Sequence, residues 1–237
     1  MNKQIKPFHF KQFTIEHDKC AMKVGFDGAL LGAWANHENP NHILDIGTGS
    51  GLIALILRQR FPQSEITAIE PNKNALIQAE INFSNAPFKK NIILINSDLT
   101  SFNHSTKFDV ILSNPPFFSE DTGGLDIDRN QARQEKFLPL HSLLSKSKSL
   151  LTDSGTFFLI YPTWESERIL ETSRNLNLYM YKQTTIYSRK EKPSKRTIFE
   201  FKLSPCKTKL ADFISGNQDV GYSIEYKKLM KQFYTIF

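Results

Sequence analysis

His42-Ile43-Leu44-Asp45-Ile46-Gly47-Thr48-Gly49-Ser50-Gly51-Leu52-Ile53-Ala54-Leu55-Ile56-Leu57 decides the fold. Residues 42–46 read as a short apolar strand, and 47–51 as a tight turn built on alternating glycines. Residues 52–61 read as a helix with a mostly apolar face, stopped by Pro62. Downstream the pattern repeats. Strands are expected at 65–70, 91–96, 108–113 and 156–161, and a helix at 74–84, where Ala75, Leu76, Ala79 and Phe83 keep helical spacing. Further helices are expected at 135–151 and 164–176. Strand-like runs follow at 179–187 and 197–203, and a last helix at 223–234. A first helix at 28–37 precedes the opening strand, and residues 1–26 lack long periodicity. Short strands alternating with helices predict an α/β fold: a largely parallel sheet covered on both faces, with its ligand at the C-terminal ends of the strands.

The 237 residues are 40% hydrophobic and 23% charged, ordinary for one globular domain, and no repeat or strong second-domain boundary stands out. No run approaches 18 apolar residues, and the start lacks the apolar core of a secretion signal, so neither a membrane span nor export is expected. Two cysteines, Cys20 and Cys206, form neither a disulfide framework nor a metal-ligand cluster; no metal is expected, and a reducing cytoplasm is the default. The net charge is +6, and it is uneven. Lys182, Arg189, Lys190, Lys192, Lys195, Arg196, Lys202, Lys207 and Lys209 face only Glu191 and Glu200 over the same span. That stretch reads either as a solvated hairpin or as a polyanion-facing patch.

The glycine turn is not a dinucleotide fingerprint, because Gly47, Gly49 and Gly51 alternate and break the G-x-G-x-x-G spacing. It also lacks the lysine of a phosphate loop. Asp45 before it would repel a phosphate and suit a cationic group. Glu70, ending the next strand, can accept two ribose hydroxyls. Asp98, after the third strand, can accept from an exocyclic adenine amine. Three acids after successive strands, with the glycine turn, point to S-adenosylmethionine rather than a nicotinamide.

After the fourth strand comes Asn114-Pro115-Pro116-Phe117. The prolines hold the backbone extended and remove two N–H donors. The Pro115 carbonyl and the Asn114 side-chain carbonyl are then free to accept from an incoming –NH₂, while Phe117 can stack on its π-system.

These pieces, together with the segment from Cys20 through Lys23-Val24-Gly25-Phe26-Asp27-Gly28 to Trp34 and the ending Gln232-Phe233-Tyr234, resemble the class I methyltransferases. More closely, they resemble the bacterial tRNA1(Val) adenine-37 N6-methyltransferases, over nearly the whole chain. The resemblance implies a Rossmann-like, mostly parallel seven-stranded sheet with an antiparallel C-terminal strand and helices on both faces. It implies one domain, 1–237, in which 1–37 covers the active site and 179–209 forms a basic hairpin. Asp45, Gly47, Thr48, Gly49 and Gly51 would shape the methionine side of the cofactor pocket, with Lys23 and Asp27 beside them. Glu70 would hold the ribose, and Asp98 with Leu99 the adenine. Asn114, Pro115, Pro116 and Phe117 would form the catalytic corner. The substrate implied is tRNA, with Phe117 stacking and Arg129, Arg133, Arg189, Lys190, Lys195 and Arg196 contacting the RNA. At position 117 many adenine-N6 enzymes carry tyrosine; stacking survives the change to phenylalanine, and a hydroxyl contact does not. Guanine-N2 methylation of RNA, glutamine-N5 methylation of a protein, and a non-catalytic RNA-binding module are the alternatives.

Overall fold

A computed structural model describes residues 6–20, 22–88, 90–116, 139–217 and 221–237. β1 (Phe8–His9) and β2 (Thr14–Ile15) form a small antiparallel pair ahead of α1 (Phe26–Trp34). The decisive stretch folds as read: β3 (His42–Ile46), the glycine turn, then α2 (Leu52–Arg60). β4 (Glu65–Ile69), α3 (Lys73–Asn85), β5 (Ile92–Ile95) and β6 (Phe108–Ser113) follow. Then come α4 (Leu140–Leu150), β7 (Leu151–Pro162), a 3₁₀ turn (Thr163–Glu165) and α5 (Ser166–Asn175). β8 (Tyr179–Tyr187), β9 (Arg196–Lys202), β10 (Lys209–Ile214) and α6 (Ile224–Met230) complete the described chain.

Strands β3 to β10 form one sheet in the order β10-β8-β9-β7-β6-β3-β4-β5. β3, β4, β5, β6 and β7 are joined by parallel ladders, β9 runs antiparallel to both β7 and β8, and β10 runs parallel to β8. The doubly wound Rossmann-like architecture is as expected, with one addition. β10 is an eighth strand where the sequence reading had none, and it extends the sheet past β8 as a parallel edge strand.

Period-two alternation divides the sheet's side chains between two cores. Val110, Leu112, Phe158 and Ile160 pack toward α1, α2 and α6. Ile111, Phe157, Leu159 and Tyr161 pack toward α4 and α5. Each such side chain contributes about 1.5–3 kcal/mol by burial. In α2, Leu52 to Leu57 are all buried, as a helix apolar on every side must be.

The topology collects the chemistry-bearing residues at one edge. Asp45, Glu70 and Asn114 lie at or just beyond the C-terminal ends of β3, β4 and β6. Because Pro162 pairs with Arg196, and Ile186 with Arg196, the basic turn 188–195 between β8 and β9 lies at that same edge.

Candidate active site

The glycine turn is left-handed at three positions, with φ of +71°, +57° and +83° at Gly47, Gly49 and Gly51. At Gly51 the requirement is also steric: a Cβ there would come within 2.4 Å of the Phe83 ring, so the turn lies flat against α3. At Gly47 a Cβ would meet nothing within 4 Å. The turn therefore rests on the protein at one end and opens onto free space at the other. It is knit to the end of β4. The Gly47 and Thr48 N–H groups both donate to the Ile69 carbonyl at 2.9 and 3.0 Å. Gly49 N–H donates to Glu70 Oε2 at 2.9 Å, and Asn72 N–H donates to Glu70 Oε1 at 2.9 Å. A carboxylate has about four acceptor directions, so Glu70 keeps one on each oxygen for a pair of hydroxyls.

Asp45 is fully buried. Thr48 Oγ1 donates to its Oδ2 at 2.6 Å, and the Ala54 backbone in the first turn of α2 favours its charged form, but Oδ1 has no partner. Burial dominates and pushes the carboxyl up from its ordinary 3.8 to about 7. The sequence reading placed this carboxylate against a cationic ligand. In the structure its Oδ2 ties Thr48 in the glycine turn to the open end of α2, and Oδ1 is left unpartnered beside that turn.

The reactive corner follows directly on β6, which lies beside β3 with Ser113 opposite Ile46. Pro115 is buried and Pro116 exposed. The Asn114 Oδ1 atom is buried without a hydrogen-bond partner. A Cβ on Gly28, in the first turn of α1, would lie 3.5 Å from Asn114 Nδ2. The start of α1 thus packs against Asn114. Phe117 lies outside the described residues.

Residues 27–177 match the Methyltransferase small domain family. A Bacteroides thetaiotaomicron protein named tRNA1(Val) (adenine(37)-N6)-methyltransferase is 40% identical over 231 residues, covering 96% of each chain. A Christiangramia forsetii protein of the same name is 39% identical over 234 residues, covering 97% of this chain and 98% of that one. The chain belongs to the tRNA1(Val) (adenine(37)-N6)-methyltransferase family. Among solved structures, an Agrobacterium tumefaciens protein described as a predicted O-methyltransferase superposes with a TM-score of 0.69 at 17% identity, over 87% of this chain and 96% of that one. That likeness speaks for the fold alone.

Within this family member, other expected site residues have partners of their own. The Asp98 carboxylate is held by its own turn: Ser101 N–H and Thr100 Oγ1 donate to Oδ1, and Ser101 Oγ donates to Oδ2 at 2.7 Å. These bonds hold its carboxyl well below the usual range and leave about one acceptor direction for an adenine amine. Leu99 beside it is buried. The Lys23 ammonium donates to the carbonyls of His17 and Cys20, both at 2.9 Å, because that irregular stretch has carbonyls without helical or sheet partners. It ties the segment ahead of α1 together. Asp27 and Arg196, assigned separately to cofactor and RNA, are paired with each other at 2.8 Å. Both side chains are largely buried, so the pair fixes α1 to β9 at the catalytic edge. Arg189 is half-buried, and Lys190 and Lys195 are exposed on the basic turn. Arg129 and Arg133 lie outside the described residues.

The sequence reading missed Gln78 and Asn82. They sit four apart on α3, both buried among Ala75, Ala79 and Phe83. Asn82 makes a two-way bond to the Glu16 peptide, accepting its N–H at 2.9 Å and donating to its carbonyl at 2.8 Å. It also donates to the Ser50 carbonyl in the glycine turn at 2.7 Å. Gln78 Oε1 accepts from Lys19 N–H at 3.1 Å. Amides on the apolar stripe of a helix were the available signal, since a buried polar group needs partners. Asn82→Ala is expected to lower stability by about 1–3 kcal/mol, the cost of stranding buried peptide groups, and to speed amide exchange at Glu16. Denaturant unfolding with hydrogen exchange measures both; unchanged exchange at Glu16 would mean that Asn82 does not hold the segment.

Proposed function

We propose that this protein transfers the methyl group of S-adenosylmethionine to N6 of adenine 37 in the anticodon loop of tRNA1(Val). The observation that carries the reading is the buried, unpartnered Asn114 Oδ1 at the end of β6. An acceptor kept dry and unpaired incurs a desolvation cost that only an incoming donor relieves. An amino group on a planar base brings such a donor. The relatives named above support the choice of base and RNA.

The residues present fit the cofactor. The open side of Gly47 leaves room for close backbone approach, and Glu70 has two acceptor directions left for ribose hydroxyls. When bound, S-adenosylmethionine supplies an electrophilic methyl on a sulfonium. Asn114 Oδ1 accepts a hydrogen bond from one N–H of the adenine amine, and the Pro115 carbonyl is the second acceptor. Together they hold that nitrogen in one orientation and favour the charge it develops as it attacks. Pro115 and Pro116, which carry no backbone N–H, offer no donor that would compete for it. Phe117 would stack on the base. The methylated nitrogen then sheds its extra proton to solvent, so no histidine base is needed.

The basic turn supports an RNA substrate, since Lys190 and Lys195 share the edge with Asn114 and can neutralise phosphates. Among the described residues no cluster of His, Cys, Asp or Glu could hold a metal, and no helix is long and apolar enough to cross a membrane. We place the activity in the cytoplasm, where tRNA is matured. The test is methylation of unmodified tRNA pools by the purified protein, followed by base-resolved nucleoside mass analysis. N6-methyladenosine at position 37 of tRNA1(Val) is expected. N2-methylguanosine, or label entering only protein, would overturn the reading.

A further inference from the structure

Trp164 stands at the same sheet edge as Asn114 and is 42% exposed. The chain around it is largely buried: Tyr161, three residues before, and Glu165, next after it, are 4% and 3% exposed. The chain's other tryptophan is fully employed. Trp34 donates to Glu200 at 3.0 Å, carries the Lys182 ammonium over its ring and meets the edge of Phe213. No described ring or cation lies on Trp164. An exposed indole is costly unless something covers it.

Its placement is fixed. Ser113, next to Asn114, pairs with Leu159, and Trp164 follows Leu159 by five residues, at most about 18 Å of chain. The 3₁₀ turn that carries Trp164 is tied to the basic turn. Thr163 N–H donates to the Lys195 carbonyl at 3.2 Å, and Thr163 Oγ1 meets Ser194 Oγ at 2.8 Å and Thr197 Oγ1 at 3.2 Å. Ser194 Oγ in turn bonds the Ile186 and Arg196 carbonyls at 2.8 and 3.0 Å. The backbone that carries the indole is thereby tied to the turn bearing the exposed Lys190, Lys192 and Lys195, past the end of the strand next to the reactive corner.

We propose that Trp164 is a stacking platform for an unpaired nucleobase flanking the target adenine, with the basic turn holding that nucleotide's phosphate. This rests on the RNA-methylating function proposed above. Drawing one base out of an anticodon loop leaves its neighbours without a stacking partner, and RNA-binding proteins meet such bases with aromatic faces next to cationic groups. The indole supplies the face, and the lysines supply the charge. Stacking tolerates any base, so the platform secures the loop while Asn114 selects the amine.

The test pairs protein and RNA variants. Trp164→Ala is expected to raise KM for an anticodon stem-loop about 5- to 100-fold, the range of one base–aromatic stack, with kcat at saturating RNA changed less than threefold. Trp164→Phe should retain most of the affinity. Making the nucleotide on one side of the target abasic should cost the wild type a similar factor and cost Trp164→Ala nothing further. Equal losses in both proteins, from abasic sites on either side, would overturn the proposal. A second arm needs no turnover. In a Trp34→Phe background, the same stem-loop should quench the remaining indole fluorescence, and the abasic loop should not. Quenching by the intact loop supports stacking even where the methylated product is another base, which would be a failure of the function reading alone. Binding of the loop without quenching would overturn the platform and leave that reading standing.

Discussion

Asn114→Ala is expected to reduce kcat by about 10²–10³, or about 3–4 kcal/mol of transition-state stabilisation, while S-adenosylmethionine affinity changes less than threefold. The size follows from the acceptor's situation. Oδ1 is buried and has no partner, so its interaction energy is held back until an amine enters. The same reasoning fixes the stability effect. Removing an unpaired buried acceptor takes no hydrogen bond away from Oδ1, so the melting temperature should stay level or rise slightly. Single-turnover kinetics, calorimetric cofactor binding and thermal unfolding read the three quantities separately. A variant with turnover within tenfold of wild type would remove Asn114 from the chemistry. A variant that lost cofactor binding in parallel would move it to the pocket wall.

The second large effect concerns pH and Asp45. In the folded protein its carboxyl is pushed up to about 7, whereas in an unfolded chain it titrates near 3.9. Between these values the folded state binds a proton that the unfolded state has already lost. Stability from this group therefore falls as pH rises from about 4 to about 7, and levels off above that. The full swing is about 4 kcal/mol. Asp45→Asn, with no proton to lose, should flatten that part of the profile. Urea unfolding of both proteins without cofactor at pH 5 and pH 8 measures the difference of slopes. Parallel profiles would show that Asp45 does not titrate in this window.

The sheet floor and the glycine turn were legible in the sequence because they obey local rules. β3 and α2 are short apolar runs, and only glycine tolerates the three left-handed positions between them. β8 matched its expected bounds because a buried strand carries its own pattern. β10 went unread because it is an edge strand with one neighbour. Its side chains are half-exposed or more, and Leu210 is 77% exposed, so no apolar alternation marks it. The candidate site was legible only as positions, with Asp45, Glu70 and Asn114 at the ends of apolar runs. It was not legible in the pairing of Asp27 with Arg196, which are 169 positions apart and meet only once β9 is in place. Nor could sequence show that Asp45 is fully buried or that Asn82 reaches Glu16, since both depend on how the helices and the turn pack together.

The strand order also sets a schedule for synthesis. β8 leaves the ribosome before β9, yet in the finished sheet β9 separates it from β7. Until residues 196–202 emerge, the twelve-residue strand Leu151–Pro162 has no permanent neighbour on its outer side, and its Phe157-Phe158-Leu159-Ile160 centre faces the cell as an open hydrophobic edge. Such edges recruit other chains. A transcript cut or stalled before Arg196 therefore yields a nascent product that holds the complete glycine turn and an unpaired outer edge on β7, the condition that favours aggregation.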